Sequence, residues 1–75
     1  MPKLPQISGQ ELTKVFKKEG WLEKSQRGSH LKLVKQTSDG KLTIIIPMHK
    51  ILKKGTLARI LKDANVSIEK LKELL

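Results

Sequence analysis

His30, in the stretch QRGSHLKL, is the side chain of this 75-residue chain whose type and setting best suit chemistry at neutral pH, because histidine ordinarily changes charge there. It follows Gly28 and Ser29, which offer free backbone N–H groups and a hydroxyl, and it lies between Arg27 and Lys32. Core packing, metal ligation and proton transfer compete for it. Metal is poorly supplied: His49 adds a second imidazole, cysteine is absent, and the only acid between Lys24 and Lys62 is Asp39, some way along the chain. Structural and catalytic zinc sites both need more ligands than that. We therefore expect neither metal nor cofactor. Proton transfer fits the surroundings better, and RNA phosphodiester cleavage is the reaction it suits. There the substrate's own 2′-hydroxyl is the nucleophile, so a histidine need only take that proton or deliver one to the leaving 5′-oxygen. Both roles are open to His30. Lys and Arg would neutralise the charge that grows on phosphorus.

Charge points the same way. Sixteen Lys/Arg against seven Asp/Glu give a formal net charge of +9. From Lys24 to Lys62 there are ten basic residues and one acid, so this segment alone carries +9, and the rest, six basic against six acidic, is neutral. A one-sided block in a small domain favours a polyanionic partner. Phe16 and Trp21 are the only aromatics and both read as core. The stacking platforms that hold single-stranded bases are therefore missing, and contact should run through phosphates and sugars. Arg27 and Lys32 beside His30, then Lys50, Lys53 and Lys54 with Thr56 at the start of a later helix, are the expected RNA-binding residues. Exposed N–H groups at a helix start favour a phosphate there.

The elements that must position these groups follow from periodicity. Ser8 three residues before Glu11 is a capping box, followed by Leu12, Val15 and Phe16 at helical spacing and Gly20 as a stop, which predicts a helix over 8–19. WLEKSQ predicts a short strand with Trp21, and with it Leu22, facing the core. From Ser29 the chain alternates, with Leu31 and Leu33 on one face and His30, Lys32, Val34 and Gln36 on the other. After TSDG a second run puts Leu42, Ile44, Ile46 and Met48 on one face and Thr43, Ile45, Pro47 and His49 on the other. An Asp39–Gly40 loop would set His30 opposite His49; pairing Gln36 with Lys41 would offset the two by one step on the same face. Leu57, Ile60, Leu61 and Ala64 then mark a helix stopped by Asn65, and Ser67 caps a last short helix with Ile68, Leu71, Leu74 and Leu75 inward.

The order α-β-β-β-α-α predicts an α+β fold, a three-stranded antiparallel sheet with the helices on one face and the other face open. A chain of this length removes only about 60% of its unfolded surface from water, so a single domain over 1–75 is expected. No apolar run is long enough to span a bilayer and the start lacks the shape of a signal peptide. Zero cysteines suit a reducing cytoplasm.

SGQEL, GW, RGSHLKL, IPMHK, LKKGTLARIL and SIEKLKELL, in this order within 75 residues, resemble the HicA family of bacterial toxins over essentially the whole chain. The resemblance implies a double-stranded-RNA-binding-domain-like fold, translation-independent cleavage of mRNA by a bacterial toxin, and a HicB-type antitoxin that neutralises it; the residues add that cleavage of single-stranded regions in the cytoplasm should need no metal, and the basic segment that the antitoxin should cover the basic sheet face. The resemblance assigns the catalytic histidine of the glycine-serine-histidine motif to His30; the turn N–H groups and hydroxyl of Gly28 and Ser29 would support it. His49 matches the second histidine, in the proline-x-histidine motif, and its role, chemical or structural, stays open. A non-catalytic RNA-binding module of the same fold is the alternative; such a module has no need of His30.

Overall fold

The computed structural model describes residues 3–75; the first two residues of the expected domain lie outside the described range. Its order is α1 (Gly9–Lys18), β1 (Leu22–Arg27), β2 (His30–Thr37), β3 (Gly40–Pro47), α2 (Lys54–Asp63) and α3 (Ile68–Leu74). The strands form one antiparallel sheet in the order β1-β2-β3, an α+β architecture of the double-stranded-RNA-binding-domain type.

α1 starts where the capping box places it. The Ser8 hydroxyl accepts from the Glu11 N–H at 3.0 Å, and the Glu11 carboxylate accepts from the Ser8 N–H at 3.1 Å. Leu12, Val15 and Phe16 are buried along one stripe and Phe16 meets Trp21 with ring centroids 5.5 Å apart. The sheet supplies Leu31, Leu33, Ile44 and Ile46 to this core, and Leu52, Leu57, Ile60, Leu61 and Leu71 close it from below. These side chains alternate with the ones that carry the chemistry, so burying one set turns His30 and Lys32 outward. Asn65, at φ 57, ends the second helix as its position predicts, and the Ser67 hydroxyl accepts from the Lys70 N–H to start the third.

Three expectations are corrected, and one choice between registers is decided. Leu22 is 69% exposed and pairs with Val34 on the outer face, leaving Trp21, 2% exposed, to anchor this edge. Leu75 is 51% exposed, being the residue after the last helical turn. Of the two registers the sequence allows, the β2–β3 hairpin takes the one that pairs Gln36 with Lys41, so His30 faces Pro47 and not His49. Its tip is Ser38–Asp39, with Gly40 held on the strand by the Thr37 hydroxyl, which donates to its carbonyl at 2.7 Å. Finally, β3 stops at Pro47, and His49 lies beyond the strand. The chain leaves the ladder there because it is captured by α1: the Gly9 N–H donates to the His49 carbonyl at 2.9 Å.

Candidate active site on the open sheet face

Three strands meet at His30. Arg27 is its partner on β1, Pro47 its partner on β3, and Lys32 stands two residues along on the same face. Ser25, Arg27, His30, Lys32 and Ile45 line a shallow concavity of about 380 Å³, and no carboxylate belongs to that lining. His30 and Arg27 are exposed and Lys32 is half-buried. The one ion pair among the described residues, Lys17–Glu23 at 2.8 Å, ties α1 to β1, so neither Arg27 nor Lys32 has an anionic partner among them. Two unpaired cations flank an imidazole on a surface open to solvent. An anion larger than a simple ion can reach all three at once.

The turn before His30 is built to hold it. Gly28 has φ 55, a left-handed conformation that costs glycine little, and Ser29 does not share it, the pattern of a two-residue turn with glycine first. The Gln26 side-chain amide donates to the Gly28 carbonyl at 3.0 Å, and the Met48 N–H donates to the Ser29 carbonyl at 2.6 Å. The turn is thus fastened from β1 and from the residue that follows β3. Gly28, Ser29 and His30 stay together with Arg27, and the segment carrying His49 is drawn beside them. His49 is exposed, and its backbone is fixed by Gly9 on one side while Met48 is bonded to Ser29 on the other.

Arg27 reaches the His30 face by a device that periodicity does not reveal. Glu23 pairs with Leu33 and Ser25 with Lys32, so Lys24 is an extra residue, a β-bulge. Regular alternation from buried Trp21 would turn Ser25 and Arg27 toward the helices. The bulge shifts the phase by one and sends both to the outer face. Ser25 and Ile45 are the lining residues that sequence reasoning did not select. The only available signal was the poor alternation of WLEKSQ, and for Ile45 its place two residues before Pro47 on the outer face.

The later basic residues are divided. Lys53 and Lys54 line a concavity with Leu4, Pro5, Gln6 and Ile51, while Thr56 lines another with β3 and Arg59. Lys53 is the N-cap of α2 and makes no side-chain capping bond, so the first N–H groups of that helix are free of side-chain partners. Lys50 is exposed in the bend after His49. The helix-start set therefore lies on two sides of α2.

With the fold and this geometry established, comparison with protein families finds a match over residues 9–66 to the family described as HicA toxin of bacterial toxin-antitoxin. The match takes in both histidines, the sheet and α2. The chain belongs to the HicA toxin family. No curated protein matches it. Among the described residues of this HicA chain, no helix is long and apolar enough to cross a membrane.

Proposed function

We propose that this HicA chain is a metal-independent endoribonuclease that cleaves mRNA in the bacterial cytoplasm, with His30 as the proton-transfer group. The observation that carries the reading is an exposed imidazole on an open sheet face between two unpaired cations, Arg27 across β1 and Lys32 along β2. In this reaction the 2′-oxygen attacks phosphorus and the 5′-oxygen leaves, giving a 2′,3′-cyclic phosphate and a 5′-hydroxyl. One proton leaves the 2′-oxygen and one arrives at the 5′-oxygen; His30 moves one of them and solvent or a neighbouring group moves the other. Arg27 and Lys32 hold the phosphate and offset its growing negative charge in the transition state. Gly28 and Ser29 keep the imidazole at the edge of the turn, close to where backbone N–H groups face solvent. Lys50, Lys53, Lys54 and Thr56 extend the contact with the RNA backbone on either side of α2.

A HicB-type antitoxin neutralises the enzyme by covering the basic face and His30. Covering is the economical route for a small domain whose turn is fastened on two sides, since no remodelling is needed.

The decisive experiment is a gel of single-stranded RNA incubated with the purified protein and with His30→Ala. Loss of one general acid or base costs roughly 10²–10⁴ in rate, while the exposed position leaves stability nearly unchanged. Undiminished cleavage by the variant would remove His30 from the mechanism. Binding without cleavage by the unaltered protein would favour the RNA-binding module.

A further inference from the structure

The two edges of the sheet are not alike. β1 is guarded: it carries the bulge at Lys24, three charged residues in six, and a side-chain bridge from Glu23 to α1. These are the features that keep a sheet edge from pairing with another chain. β3 has no bulge and no bridge to a helix, and its one charge, Lys41, and its proline, Pro47, stand near its two ends. Its sequence GKLTIIIP runs eight residues in unbroken register with β2, and Ile45 is 54% exposed.

The polarity of that free edge follows from one bond. The Met48 N–H donates to the Ser29 carbonyl, and in an antiparallel ladder the bonded pairs alternate. Ile46, Ile44 and Leu42 therefore direct their backbone groups toward β2, and Ile45, Thr43 and Lys41 direct theirs away from the sheet. Among the described residues these three make no backbone bond outside the ladder. Pro47, with no N–H, ends the series. Beside this edge runs a groove of about 380 Å³ between β3 and α2, with Ile44, Ile45, Pro47 and Ile60 as its apolar walls and one opposite pair of charges, Arg59 and Asp63.

We propose that the free edge of β3 is a strand-addition site for an extended segment of the antitoxin. The proposal rests on the reading that an antitoxin neutralises this chain. Alternating N–H and C=O groups are satisfied together only by another peptide strand. A phosphate backbone would meet the three carbonyls unfavourably, and Asp63 offsets the single arginine of the groove, so RNA that touches Thr56 at the α2 side is still a poor occupant of the β3 edge itself. A second copy of the chain would bring +9 against +9. An acidic partner suffers no such repulsion: its strand would place small apolar side chains over the groove and acidic ones beside Lys41. Ile45 lines both this groove and the His30 concavity, so one partner covers both without a gap.

Residue-resolved amide hydrogen exchange tests this on the intact protein, alone, saturated with its purified HicB-type antitoxin, and saturated with a single-stranded oligouridylate. The amides of Lys41, Thr43 and Ile45 should slow by about 100-fold or more with antitoxin and stay fast with RNA. The inward amides of Leu42 and Ile44 serve as protected references. Thr43→Pro, which removes an outward N–H and leaves the β2 ladder intact, should weaken antitoxin binding at least about tenfold and leave RNA cleavage unchanged. Where that variant folds poorly, exchange in the unaltered protein still decides. Antitoxin binding with the three amides exchanging freely overturns strand addition and leaves occlusion of His30 standing. Protection by the oligonucleotide assigns the edge to nucleic acid, and concentration-dependent protection of the protein alone assigns it to a second copy; either overturns the proposal. Failure of the antitoxin to bind at all overturns the neutralisation reading as well.

Discussion

The Gly9 N–H donates to the His49 carbonyl at 2.9 Å, and a Cβ on Gly9 would collide with the Pro47 carbonyl oxygen and lie 2.9 Å from the Met48 Cα. The first turn of α1 thus rests directly on the backbone that leaves β3. Next to it the Thr13 hydroxyl donates to the Gly9 carbonyl at 2.8 Å and contacts the Met48 sulfur at 3.7 Å. This helix start is what holds the His49 segment beside the Gly28–Ser29 turn.

Gly9→Ala should therefore destabilise the fold, although alanine favours a helix by about 1 kcal/mol. The obstacle is backbone and cannot rotate away. A net loss of about 1–3 kcal/mol is expected, read as a fall in Tm of roughly 4–8 °C per kcal/mol. A variant melting at or above the parent temperature would show that the contact yields easily.

Cleavage should persist in EDTA, leave a 2′,3′-cyclic or 3′-phosphate end, and spare a substrate with a 2′-deoxy sugar at the cut. End-group analysis of the products reads all of this. A strict magnesium requirement with 3′-hydroxyl products would mean that the nucleophile is not the 2′-oxygen.

RNA affinity should fall steeply with salt. Each lysine that contacts a phosphate of a single strand adds about 0.7 to the log–log slope, so replacing Lys53 and Lys54 together by Gln should flatten it. Fluorescence anisotropy over a salt series measures the slope. An unchanged value would confine the RNA to the sheet face.

Association with the antitoxin should be fast and salt-sensitive, because complementary charge acts mainly on the on-rate. Reversing Arg27 or Lys32 to Glu should slow association far more than reversing Lys70 or Lys72 on α3. Stopped-flow measurement of the four variants compares them directly. If the α3 reversals slow it most, the antitoxin does not sit over His30.

Much of this was legible in the sequence because each element carried its own local signal. Ser8 and Glu11 made reciprocal bonds as their spacing requires, and Leu31, Leu33, Ile44 and Ile46 could alternate in only one way with His30 and Lys32. What escaped depended on one residue more or less. The bulge at Lys24 has no residue type of its own, and it alone brings Arg27 to the His30 face. The hairpin tip was ambiguous by one position, since Ser38, Asp39 and Gly40 all favour turns, and that ambiguity decided whether His30 faced His49 or Pro47. The division of Lys53 and Lys54 from Thr56 was also hidden, because neighbours in sequence at a helix start point to different sides of its axis.

Trp21 is the only tryptophan, the chain has no tyrosine, and the indole lies in the core against Phe16, away from the outer face of the sheet. Its fluorescence is accordingly a private channel for folding: emission shifts when the core opens, and ligands that settle over His30 leave it dark to them. Unfolding and occupancy can thus be followed in one cuvette by two independent signals, intrinsic emission for the first and a labelled RNA for the second.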